Sequence, residues 1–180
     1  MFVLEPLTYL PPRWRSSSTL PGQPSSRTSV SAERLLVVRD PDAERLSPNA
    51  PLFEVSARRR HLLRGSTDVE LQPELGPERS DLLVEKPHGL ASLQSMGLDD
   101  RLRSLGSETV VITGVSLNVA IPYLAFEAVN LGYRVVIPSD AVAGVPDDFA
   151  RGVLRHSLSL VATVTTTDEL IGALLRVAPR

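Results

Sequence analysis

Apolar positions along this chain fall into short runs separated by helical stretches, and the clearest alternation lies between residues 106 and 144. Residues 110–113 form a β-branched run of the kind that suits a strand buried on both faces, and Gly114 ends it. Val119, Leu124, Ala128 and Leu131 are spaced for one face of a helix. Ser116 or Asn118 can cap that helix, Pro122 is tolerated in its first turn because its missing N–H would be unpaired there, and Gly132 suits its end. A second run at 135–138 follows, closed by Ser139 and Asp140. Strand, helix and strand at this spacing make a βαβ unit, which implies a parallel sheet and a right-handed crossover. Open parallel sheets bind ligands at the carboxyl ends of their strands, where helix N-termini present N–H groups, so 115–120 is the predicted site.

The same alternation runs through the rest of the chain. Strands are predicted at 35–39, 81–85, 110–113, 134–138 and 160–164. Helices are predicted at 52–60, at 97–105 with Leu98, Leu102 and Leu105 on one side and Gly106 as its stop, at 146–157, and at 167–177. Thr167 is the expected cap of the last helix, with Asp168 and Glu169 in its first turn. Residues 6–31 are rich in Pro, Ser and Arg without periodicity and are expected to be loop or disordered, while 1–5 is an apolar piece able to form a short strand. The predicted organisation is an irregular segment over 1–31 and one layered α/β domain over 32–180.

Composition narrows the function. At 180 residues and 42% hydrophobic content the chain has the size of one domain with a core. A net charge of −2 leaves no footprint for nucleic acid, and no apolar run approaches membrane-spanning length. The start, MFVLEPLTYLPPRWR, carries its charge after its apolar residues, the reverse of a signal peptide, so a cytoplasmic location is expected. The absence of cysteine excludes disulfides and thiolate chemistry. His61, His88 and His156 are scattered without ligand spacing, so neither a metal site nor a cofactor is expected. The Arg58-Arg59-Arg60 run reads either as a solvated helix end or as an anion site.

Lys86 is the one lysine among 19 Lys and Arg residues. It ends a predicted buried strand, where functional groups of such sheets gather, and unlike Arg it becomes useful in proton transfer when burial lowers its pKa. A surface lysine ahead of a Pro- and Gly-containing loop is the other reading.

The segments GVSLNVA and FEAVNLGYRVVIPSDAVAG, with GSTDVELQPELGPERSDLLVEKP upstream and TTTDEL downstream, resemble the isochorismatase-like (cysteine hydrolase) family over about residues 35–175. The resemblance implies a three-layer Rossmann-like parallel sheet of six strands in the order 3-2-1-4-5-6. The five strands above correspond to the second through sixth, so the central first strand is either missing or reduced to 1–5. It further implies that Lys86, in the pattern D-x-x-x-x-K, matches the family's catalytic lysine, that Ala120 stands where the nucleophilic Cys would be, and that Val115–Ser116 matches a peptide bond often cis in the family.

A methyl group at Ala120 cannot attack an amide or nitrile carbon, and Ser116, the nearest hydroxyl, has no Ser-His-Asp arrangement around it. The turn can still bind an anion or carbonyl oxygen through the N–H groups of Val119 and Ala120, with Ser116, Asn118 and His88 as further substrate-binding candidates. Isochorismatases proper resemble this chain in lacking the cysteine; they protonate a vinyl ether with an Asp at the end of the first strand, a carboxylic acid held neutral near pH 7. Glu5, after FVL, is the candidate for that acid, and an exposed N-terminal Glu is its other reading. Asp40 follows the strand that matches the family's second. Leu93 and Met96 replace the aromatic and the hydroxyl of the stretch after the lysine, which makes it less polar. The unlike composition of 1–30 is what a misplaced start or an upstream frame change would leave.

Two functions follow from the sequence. One is an isochorismatase-like hydrolase of a small metabolite, weak or inactive because the thiol and the first-strand Asp are absent. The other is a non-catalytic binding protein of the same fold. The resemblance also implies a homodimer or homotetramer, for which the apolar face of 123–129 is available.

Overall fold

The computed structural model describes residues 2–3, 33–37, 49–59, 62–70, 82–86, 89–90 and 93–177. The strands are β1 (Phe2–Val3), β2 (Glu33–Val37), β3 (Leu82–Lys86), β4 (Thr109–Val111), β5 (Gly114–Val115), β6 (Arg134–Pro138), β7 (Val142–Ala143) and β8 (Thr163–Thr165). The helices are α1 (Pro51–Arg59), α2 (Leu98–Ser104), α3 (Ala120–Asn130), α4 (Asp147–His156) and α5 (Thr167–Val177), with 3-10 turns at Thr67–Val69 and Leu158–Leu160. Among the described residues every strand pairing is parallel, as the βαβ pattern predicts.

Hydrogen bonding divides the strands into a five-stranded patch, β3-β2-β1-β5-β7, and a three-stranded one, β4-β6-β8. Only Ile112 and Thr113 separate β4 from β5 along the chain, so one stretch of backbone joins the two patches. The two-residue β1 fills the gap between β2 and β5: Phe2 is level with Leu35 on one side and Gly114 on the other. The apolar start of the chain is thus placed as a strand, while 6–31, His61 and Asp40 lie outside the described residues.

The core lies between α3 and β6. Ile121, Ala125 and Ala128 of α3 are sealed from solvent and meet Val135 and Ile137 of β6, with Leu158 and Ala150 from the α4 region. A large aliphatic side chain buried in this way contributes about 1.5–3 kcal/mol. Two details depart from the sequence pattern. Val119 lies on the exposed side of α3, because the buried face runs through Ile121, Leu124, Ala125 and Ala128. Val111 is 44% exposed, because strand side chains alternate and it points away while Val110 and Ile112 face the core.

Helix ends explain the remaining shifts in boundary. Gly132, at φ 91°, lets the N–H of Tyr133 reach the carbonyl of Ala128, a Schellman closure of α3. At the start of α5 the cap is Thr166 rather than Thr167. Thr166 Oγ1 accepts the Glu169 N–H at 3.3 Å, and Glu169 Oε2 accepts the Thr166 N–H at 3.1 Å, a reciprocal capping box. Thr167 instead donates from N–H and hydroxyl to Asp140, at 2.8 and 2.9 Å, which ties α5 to the turn after β6. The last strand begins at Thr163, not residue 160, because Leu158–Leu160 forms a 3-10 turn that buries Leu158. Tyr133 donates its hydroxyl to Asp99 Oδ1 at 2.7 Å and joins α2 to β6.

Candidate functional site

Lys86 is the last residue of β3. Leu82, Val84 and Lys86 share one face of that strand, and Leu82 and Val84 pack on the core, so Lys86 is carried inward with them and is only 4% exposed. Glu85 points to the other face, where its carboxylate accepts from Arg64 at 2.6 Å. The Lys86 ammonium donates to the carbonyl of Leu90 at 3.1 Å. Burial pushes its pKa from 10.5 down to about 8, and the negative charge of Glu127 opposes that fall. It is therefore mostly an ammonium near pH 7 and gives up its proton far sooner than a surface lysine.

The turn between β5 and α3 is built differently from the sequence expectation. The Val115–Ser116 peptide is cis. Neither Ser116 nor Asn118 caps α3 by its side chain; Val119 occupies the N-cap position. Both side chains are engaged elsewhere. Ser116 Oγ accepts the Asn118 N–H at 3.1 Å, and the Asn118 amide clasps Val145, donating to its carbonyl at 2.5 Å and accepting its N–H at 2.9 Å. The Ser116 carbonyl takes the N–H groups of Val119 at 3.4 Å and Ile121 at 3.0 Å, so the Val119 N–H, expected to meet a ligand oxygen, is already engaged within the turn. Asn118 thus joins the turn to the start of α4. Gly144 lies inside this clasp, and a Cβ there would stand 2.8 Å from Asn118 Oδ1 and 2.9 Å from Leu117 Cβ.

Ala120 opens α3 with its methyl group in the core, 6% exposed. Val119 beside it faces outward. Lys86 ends β3 and Val115 ends β5, so the lysine and the turn occupy one edge of the sheet with β2 and β1 between them. Three interstrand spacings of about 4.8 Å put roughly 14 Å between the two main chains. Glu5 and His88 lie outside the described residues. Among the described residues no three His, Asp or Glu side chains gather as a metal site, and no helix is long and apolar enough to cross a membrane.

Sequence reasoning passed over Glu127. Its carboxylate accepts the N–H groups of Leu93 and Gln94, each at 3.2 Å, and its charge acts on Lys86. The available signal was its isolation as the one charged residue in AIPYLAFEAVN. Leu93 and Met96, which make the stretch after the lysine apolar, pack into the core.

The profile of the Isochorismatase domain matches residues 30–169. The chain belongs to the isochorismatase family. Among its relatives, an uncharacterized isochorismatase family protein of Bacillus subtilis, YwoC, is 30% identical over 57% of this chain and 54% of its own length. The ureidoacrylate amidohydrolase RutB of Stutzerimonas stutzeri is 33% identical over 54% of this chain and 39% of its own length. The chain thus spans about half or less of the curated relatives it matches. Among solved structures, a cysteine hydrolase from Pseudomonas syringae superposes with a TM-score of 0.71 at 25% identity, over 82% of this chain and 73% of that one. N-carbamoylsarcosine amidase from Thermoplasma acidophilum does so with a TM-score of 0.58 at 26% identity, over 76% and 73%. This isochorismatase-family chain therefore shares the fold of these hydrolases.

Proposed function

We propose that this isochorismatase-family domain binds a small carboxylated or amide-bearing metabolite at the carboxyl edge of its sheet and hydrolyses it weakly or not at all. Ala120 carries the reading. It stands at the start of α3, where the resemblance puts the nucleophile, and its buried methyl group has no lone pair to offer an electrophilic carbon. No cysteine elsewhere in the sequence can take its place. What remains suits binding: the Lys86 cation for a carboxylate, and the positive end of α3 for a carbonyl oxygen or a second negative charge. The names of the relatives, a ureidoacrylate amidohydrolase and an N-carbamoylsarcosine amidase, support ligands that join an amide to a carboxylate. A homodimer or homotetramer using the exposed Tyr123, Phe126 and Val129, and a cytoplasmic location, belong to the same proposal.

The test is calorimetric titration with ureidoacrylate and N-carbamoylsarcosine, with ammonia release followed in the same samples. Binding without turnover, lost in Lys86→Met, is expected. Turnover at a rate typical of a cysteine hydrolase, or binding that ignores Lys86, would sink the proposal.

A second reading is favoured by β1, which enters the sheet between β2 and β5 and runs toward the edge where Lys86 lies. Glu5 follows β1 by two residues. A protonated Glu5 would donate to a vinyl ether as the Asp of cysteine-less isochorismatases does. Vinyl-ether hydrolysis that vanishes in Glu5→Gln would establish it, and its absence in the unaltered chain would end it.

A further inference from the structure

We infer that Glu127 is the positioning residue of the Lys86 site: its carboxylate fastens Leu93 and Gln94, just past β3, to α3, and its charge acts on the lysine ammonium to hold it in place. The inference rests on the reading of Lys86 as the ligand-binding cation.

Three contacts carry it. Lys86 Nζ donates to the Leu90 carbonyl at 3.1 Å. Three residues on, Leu93 N–H donates to Glu127 Oε2 and Gln94 N–H to Glu127 Oε1, both at 3.2 Å. Leu93 and Gln94, three and four residues past the acceptor for the ammonium, are thus held, by both oxygens of one carboxylate, to the helix that begins at Ala120. Two backbone N–H groups taken by one carboxylate are charge-assisted bonds with a defined direction, stronger than neutral ones. Leu93 is buried in the core beside this attachment, and its own carbonyl accepts the Asp99 N–H at 3.0 Å, so Leu93 is held through both its N–H and its carbonyl.

Among the described residues, Glu127 is the charge that acts on the ammonium, while other carboxylates of the surrounding elements are engaged elsewhere. Glu127 approaches from α3 and acts on it directly. Glu85, its neighbour in β3, faces away and pairs with Arg64. Asp99 of α2 is engaged with Arg103 and Tyr133. Val37 of β2, level with Lys86, carries no charge. Glu127 therefore joins the attachment of Leu93 and Gln94 to the electrostatics of the lysine in a single side chain, which a purely structural strut would not do.

Because Lys86 is the one lysine, protein grown with Cε-labelled lysine gives a single lysine signal whose pH titration reports this ammonium alone. Glu127→Gln is expected to lower the midpoint from about 8 by about one pH unit, since an opposing charge has been removed. Amide exchange at Leu93 and Gln94 is expected to quicken about tenfold. Glu108→Gln, which removes an exposed partner of Arg134, should change neither. Glu127→Asp keeps the charge one methylene further back, so it should quicken exchange with a smaller fall in midpoint, and it serves where the Gln variant does not fold. A midpoint that stays put in a folded Glu127 variant overturns the inference. Should the unaltered chain bind no amide-bearing carboxylate while the midpoint falls as stated, the positioning role stands and the binding proposal alone fails.

Discussion

The Lys86 ammonium donates to the Leu90 carbonyl at 3.1 Å from a site almost closed to solvent. Burial takes the ammonium out of water, which is why the charged form is disfavoured and the pKa falls to about 8. The shift has a sign in stability. Below pH 8 both folded and unfolded chains hold the proton, and the folded state bears the full cost of the buried charge. Between about 8 and 10.5 the unfolded chain keeps the proton that the folded one releases, so stability rises with pH across that window, by about 3 kcal/mol in all.

Lys86→Met should therefore stabilise the fold at pH 7. The relief of the buried charge, about 3 kcal/mol, exceeds the roughly 1 kcal/mol of the lost hydrogen bond to the Leu90 carbonyl. Urea unfolding at pH 7 and pH 10 checks it. A gain of about 2 kcal/mol at pH 7 and a flatter pH dependence are expected; a destabilised variant at pH 7 would show that the ammonium is better solvated than its burial implies.

The first strand gives a second prediction. Phe2 and Val3 pair with β2, and Phe2 also pairs with β5. Removing residues 1–8 leaves polar backbone groups of both neighbours without their partners, at about 1–3 kcal/mol for each that stays dry. For a chain of this size each kcal/mol is worth about 2–4 °C in Tm. A fall of at least about 5 °C is expected by calorimetry, and an unchanged transition would mean that β2 and β5 do not depend on β1.

The βαβ unit was legible because its signals are local. β-Branched runs, the helical spacing of Leu124 and Ala128, and Gly132 at a helix end all act within a few residues, and β6 and α3 lie where the pattern puts them. The family resemblance was legible for the same reason, since its motifs are contiguous. The roles of Asn118, Thr167 and Glu127 were not. Each bonds a partner 27 to 34 residues away, to Val145, Asp140 and Leu93 in turn, and a sequence gives no distance across such loops. Asn118 reads as a helix cap by composition, and only the fold brings Val145 close enough to draw its amide away.

That clasp yields a third prediction. Asn118→Ala removes both bonds to Val145 and should destabilise the fold by about 1–3 kcal/mol. Gly144→Ala should do the same from the other side, because its Cβ would meet Asn118 Oδ1 at 2.8 Å and Leu117 Cβ at 2.9 Å. The two effects share one contact, so the double variant should cost less than the sum. Additive losses in a double-mutant cycle would show that the clasp and the close approach of Gly144 are separate features.

The fourth prediction returns chemistry to the turn. Ala120→Cys places a thiol at the first position of α3, near the positive end of the helix dipole and on the sheet edge that carries the Lys86 cation. The helix end favours a thiolate more than burial opposes it, and the more distant Lys86 adds little, so its pKa should fall below the ordinary value of about 8.5. The extra sulfur enters a site only 6% exposed and should cost about 1–3 kcal/mol in packing. Because the sequence has no other cysteine, a disulfide reagent followed across pH reports this thiol alone. A midpoint below 8, together with slow ammonia release from N-carbamoylsarcosine, is the expected result. A thiol that titrates at or above 8.5 would mean that the start of α3 and Lys86 do not form an anion-stabilising site, and the binding proposal for that edge would fall with it.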